Sequence, residues 1–154
     1  MGYTHYWTLN RAALSTAALA EGFEFAATEI KTLKRYLPKE IKIRGGLGIE
    51  LPIIGTKRIW FNGDSKHDLD HETFDVDRDV DALYPDNGRG FCKTNRKPYD
   101  VLVCCSLIAL AKRLPGAFSF TSDGDKSDWE SAIRFYDTNF SGGHAVRITA
   151  NLHS

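Results

Sequence analysis

The stretch Pro98-Tyr99-Asp100-Val101-Leu102-Val103-Cys104-Cys105-Ser106-Leu107-Ile108-Ala109-Leu110-Ala111-Lys112-Arg113 decides the fold. Its apolar residues recur so densely that a helix built from it has almost no polar face. Such a helix belongs in the middle of a domain, covered by other elements. Pro98 suits the first helical position, where a missing N–H is no loss. Lys112 and Arg113 stand at the far end, where cations complement the helix dipole, and Pro115-Gly116 closes it.

Working outward, both flanks read as β structure. Downstream, Ala117 to Ser122 alternates as a strand and Asp123-Gly124-Asp125 turns. A further helix is expected over Asp128 to Phe140, capped by Ser127 with Glu130 completing a capping box. His144 to Leu152 reads as a last edge strand. Upstream, residues 79–90 read as an irregular loop. The hairpin before it pairs Arg58 to Phe61 with Glu72 to Asp77, with Asn62-Gly63 as the turn signal. Ile41-Lys42-Ile43 reads as a short strand. A long helix runs from a Ser15 or Thr16 cap to about Tyr36, with Gly22 as a weak point inside it. Residues 3–9 form an aromatic-rich strand. This order predicts one α+β domain over residues 1–154, an antiparallel or mixed sheet with about three helices packed on it.

Composition narrows the function classes. The chain carries 20 basic and 20 acidic residues, so its formal net charge is zero. That argues against nonspecific nucleic-acid binding. The charge is segregated, however: residues 64–86 are acidic and 88–97 basic. Three cysteines with no framework spacing point to a reducing compartment, and a cytoplasmic location is expected. No apolar run is long enough to span a membrane.

Four stretches carry a resemblance. They are the opening Met-Gly-Tyr-Thr-His-Tyr-Trp, then Phe61-Asn62-Gly63-Asp64, then Phe91-Cys92-Lys93-Thr94 with Arg96-Lys97-Pro98-Tyr99-Asp100, and then Ser122-Asp123-Gly124-Asp125. In these the chain resembles a family of small phage, prophage and bacterial proteins. The resemblance implies an accessory gene product acting in the host cytoplasm, with counter-defence as the usual task, and no particular activity.

The basic segment is the sharpest local chemistry. Arg89, Lys93, Arg96 and Lys97 precede the central helix, whose first N–H groups and dipole favour an anion. Tyr6, Trp7, Trp60 and Tyr99 are candidates to stack on a base. Asp123 and Asp125 are candidates to accept from ribose or base donors. Together they predict a binding protein that captures a small anionic ligand without turnover, a nucleotide-derived immune signal being the favoured case. The pocket could be completed across a homodimer. No catalytic residue, metal ligand or cofactor is assigned. A solvated basic loop is the bland alternative, and neither Gly-x-x-x-x-Gly-Lys-[Ser/Thr] nor Gly-x-Gly-x-x-Gly occurs. A protein–protein inhibitor of a host defence effector is the second reading. The third is a metal-dependent phosphoesterase using Asp64, Asp123, Asp125 and a histidine. His5 reads as a packed residue with a satisfied ring nitrogen.

Overall fold

The computed structural model describes residues 2–153; Met1 and Ser154, the ends of the expected domain, lie outside the described residues. The chain runs β1 (Thr4–Leu9), α1 (Thr16–Tyr36), β2 (Ile53–Ile54), β3 (Arg58–Phe61), β4 (Phe74–Asp77), β5 (Arg89–Lys93), α2 (Asp100–Arg113), β6 (Phe118–Ser122), α3 (Lys126–Asn139) and α4 (His144–Ile148). The fold is α+β, as its element order predicts. The strands form two antiparallel three-stranded sheets, ordered β5-β1-β6 and β2-β3-β4. One continuous hydrophobic core joins them. Among the described residues no helix is long and apolar enough to cross a membrane.

Helix α2 is the centre, with every residue from Leu102 to Leu110 buried. Ser15 caps α1 by accepting from the Ala18 amide at 3.1 Å. The α1 face formed by Leu19, Phe23, Ala26, Ile30 and Leu33 then packs inward. Glu29 is also buried on this helix, held by Lys112, Arg113 and the Tyr136 hydroxyl. Two cations and a hydroxyl there replace the water that a buried carboxylate gives up.

Four local expectations need correction. Arg89 and Gly90, expected to end an irregular loop over residues 79–90, instead open edge strand β5, because β1 supplies ladder partners from Thr4↔Lys93 to Thr8↔Arg89. Ile41-Lys42-Ile43 makes no strand; only Arg44 bridges to Asn62. The last segment is helical rather than an edge strand, because the Asp137 carboxylate accepts from the Ala145 and Val146 amides and starts α4. Helix α3 is capped by Asp125, not Ser127. Asp125 accepts from the Asp128 amide while Asp128 reaches back to the Asp125 amide, both at 3.0 Å.

Gly22 is a close-approach residue rather than a weak point. A Cβ there would lie 2.4 Å from the Arg113 carbonyl oxygen and 2.6 Å from Leu114 Cδ2. Gly22→Ala, normally favourable in a helix, is therefore expected to lower stability by about 1–3 kcal/mol, read from urea unfolding midpoints. The Asp125 cap gives an acid signature. The Ser127 hydroxyl, then the Asp128 amide, hold its carboxyl below the ordinary range. A depressed folded pKa gives stability that is complete above the unfolded value and lost as pH falls through the folded one. Thermal stability should therefore decline below about pH 4, and Asp125→Ala should lower the pH 7 melting temperature and flatten that decline.

Candidate functional site

Strand alternation divides β1 into two faces. Tyr3, His5, Trp7 and Leu9 point inward and are buried, while Tyr6 and Thr8 point outward. The inward His5 hydrogen-bonds residues from two other elements. Its Nδ1 lies 2.7 Å from Ser122 Oγ on β6, and its Nε2 lies 2.6 Å from Asp100 Oδ1 on the first turn of α2. The Thr94 hydroxyl also donates to Asp100 Oδ1, at 2.6 Å. Cys104, one turn along α2, places Sγ 3.5 Å from Asp100 Oδ2.

The proton positions follow from counting donors. Ser122 Oγ accepts from the Gly124 amide at 2.9 Å and from the Trp129 indole N–H at 3.1 Å. Neither group can accept, so both lone pairs of the hydroxyl are occupied. Its proton must go to His5 Nδ1, and His5 Nε2–H then donates to the Asp100 carboxylate. Ser122, His5 and Asp100 thus align with the polarity of a serine-hydrolase triad. His5 is sealed from solvent and both Ser122 lone pairs are engaged, so the relay orders the core. His5, Asp100 and Cys104 also bring three ligand-type atoms within 4.8 Å of one another. A metal on Nε2 would drive the ring proton to Nδ1 and aim three N–H donors at one hydroxyl oxygen, so the tautomer opposes it.

Asp100 forms part of the floor of a cleft of about 240 Å³, lined by Tyr3, Arg96, Lys97, Val101, Asp128 and Ser131 among others. Its side chain is 17% exposed. The turn bringing Arg96 here is strained: Asn95 and Arg96 have φ of 53° and 62°, costly for residues with a Cβ. It is held by the Tyr3 carbonyl, which accepts from the Thr94 and Asn95 amides. The Arg96 guanidinium lies 4.1 Å above the Tyr3 ring centroid, and its Nη1 donates to Asp128 Oδ1 at 2.6 Å. Lys97 Nζ donates to the Asp68 carbonyl at 2.8 Å. Burial pushes the Tyr3 hydroxyl well above its ordinary pKa, so it stays protonated.

The expected site residues do not share one location. Arg96 and Lys97 line this cleft. Tyr6 and Arg89 lie on the outer face of the first sheet, and Lys93 shares their strand parity. Two expected stacking residues belong to the core: Trp7 packs on Phe74, and Tyr99 is buried with its hydroxyl on the Glu72 carbonyl. Trp60 is in the second sheet, its ring against Gly45 and Gly46. Asp123 accepts from the Thr4 amide, and Asp125 caps α3. The anion site expected from free helix amides is also absent. The Asp100, Val101 and Leu102 amides donate to the Lys97, Pro98 and Tyr99 carbonyls, and the Asp100 carboxylate itself occupies the first turn. Asp64, Asp123 and Asp125 do not form a metal-ligand group with any histidine among the described residues. Asp64 instead pairs with His67 and Arg44, and the His67 hydrogen bond holds its carboxyl below the ordinary range.

Sequence reasoning did not find the Ser122–His5–Asp100–Thr94 network. One signal was available: these residues sit in three of the four stretches that carry the resemblance, and those three stretches converge on His5 and Asp100. Comparison with known proteins gives no match, whether with family models, curated sequences or solved structures.

Nitrogen-15 NMR of His5 should show Nε2 as the protonated nitrogen and Nδ1 as the bare one. Ser122→Ala leaves three groups without their partner, and it should cost at least about 1–3 kcal/mol of stability in chemical denaturation.

Proposed function

We propose that the cleft at the start of α2 binds a small phosphate-bearing ligand of the nucleotide class and holds it without turnover. One observation carries the reading: cations with unused donors flank a carboxylate with unused acceptor capacity. Arg96 commits Nη1 to Asp128, leaving Nε and Nη2 for a phosphate, in the forked geometry that guanidinium offers. Lys97 commits one of its three N–H donors to the Asp68 carbonyl. Asp100 takes its strong donors on Oδ1, so Oδ2, with the Cys104 thiol as its one recorded partner, keeps acceptor capacity for a ligand hydroxyl. A ribose phosphate has this pattern, with its phosphate toward Arg96 and Lys97 and its diol toward Asp100. The base would lie at the rim.

The strained Arg96 supports the same reading, since an unfavourable backbone is retained where it aims a side chain. In the setting the resemblance implies, capture would withdraw a nucleotide-derived immune signal from a host defence pathway. The protein-inhibitor reading draws on a separate observation. Leu47, Ile49 and Leu51 are 73%, 68% and 80% exposed on the loop before β2, an apolar surface of the kind protein partners cover.

Arg96→Gly separates binding from folding, because glycine tolerates the left-handed backbone that arginine does not. In calorimetry with ribose 5-phosphate and nucleoside monophosphates, this variant should bind at least about tenfold more weakly, a loss of about 1.4 kcal/mol, and remain as stable as the parent. Unchanged affinity would remove the cleft from consideration. Recovery of a dephosphorylated product would replace capture with phosphoester hydrolysis.

A further inference from the structure

We infer that the outer face of sheet β5-β1-β6 is a platform for single-stranded nucleic acid, a reading independent of the cleft. Tyr6 on the central strand and Phe91 on the edge strand are direct partners in the antiparallel register. Both rings are presented to solvent, at 43% and 62% exposure. Opposed residues sit about 5 Å apart across a sheet, so the two rings lie side by side, as two successive bases require. Every base has a π-face, and stacking on paired aromatics is how sequence-tolerant binders hold unpaired strands.

Charge completes the platform. Arg89 and Lys93 share the Phe91 parity on β5 and stand on either side of it, about 13 Å apart along the strand. Among the described residues neither side-chain cation has a carboxylate within 4.0 Å, although the Lys93 backbone amide donates to Glu72 Oε1 at 2.8 Å; the guanidinium groups of Arg11, Arg44, Arg58, Arg78, Arg96 and Arg113 all have one. The cations with no ion-pair partner on this sheet thus bracket its exposed aromatics. Thr8, Ser119 and Thr121 add hydroxyls, and Asn87 an amide, around a shallow concavity of about 480 Å³. A duplex hides the base faces that would stack on Tyr6 and Phe91. The zero net charge disfavours binding a long polyanion by charge alone, yet leaves room for a contact with two phosphates.

The test is fluorescence anisotropy with labelled eight-nucleotide oligo-dT, oligo-U and a duplex of equal length, on the parent and on Tyr6→Ala, Phe91→Ala and Arg96→Gly. Both single strands should bind, the duplex should bind at least about tenfold more weakly, and each aromatic substitution should cost about tenfold. Two phosphate contacts predict a slope of about −1.4 for log affinity against log salt concentration. Preference for oligo-U over oligo-dT would add recognition of the 2′-hydroxyl to the same platform. Arg96→Gly should leave oligonucleotide binding intact, and Tyr6→Ala should leave ribose 5-phosphate binding intact, so the two sites stand or fall separately. The platform is overturned if neither single strand binds, if the duplex binds as well, or if Phe91→Ala binds undiminished; the exposed side chain makes misfolding a poor explanation of any loss.

Discussion

A buried imidazole must satisfy two nitrogens without water, and His5 does so in only one proton arrangement. Two donors that cannot accept, the Trp129 indole and the Gly124 amide, occupy Ser122. That sends the Ser122 proton to His5 and the His5 proton to Asp100. Asp100 is thereby placed as an acceptor at the start of α2, where the helix dipole also favours negative charge. Thr94 adds a second donor and fixes the turn out of β5. Through one ring, β1, β6, α2 and the base of α3 take up their mutual positions. The cleft exists because those elements meet at its floor.

The relay also explains why a triad-like alignment carries no hydrolytic assignment. A nucleophilic serine needs a free lone pair and a path for substrate. Ser122 has spent both lone pairs on the protein, and His5 has no contact with solvent. The same donors and acceptors that would make a reactive serine in an open site make a rigid joint in a closed one. In the proposed capture, recognition falls to groups at the periphery of the network, namely Arg96, Lys97 and Asp100.

The sequence was legible where periodicity was strong. The dense apolar run of α2, the three- and four-residue spacing of α1 and the alternation of β3 with β4 all state their structure locally. Arg89 to Lys93 was not legible, because glycines and cations have no strand preference and that segment is a strand only by pairing with β1. Helix α4 depends on Asp137, a carboxylate from the preceding helix, and no local pattern announces that. For the site, residue type named Arg96 and Lys97 but mixed Trp7 and Tyr99 with Tyr6. Parity within β1 separates Tyr6 from Trp7, since Trp7 shares a face with His5 and Leu9. Phe91 was overlooked because its segment was read as loop. The His5 network joins residues 95 and 117 positions apart, a distance only the fold bridges.

The three cysteines have a practical consequence. Cys92, Cys104 and Cys105 are all buried and unpaired, and burial pushes the Cys92 thiol up to about 12 and raises the other two as well. Thiolate is the reactive form, so in the folded protein these sulfurs are inert toward oxidants and alkylating reagents. Cys92 lies on the edge strand under the outer face, and Cys104 and Cys105 lie on the central helix. A thiol reagent added to the native protein therefore reacts only through openings of the core. Site-by-site labelling rates would report separately how often the edge strand and the central helix come loose, with no probe introduced into the chain.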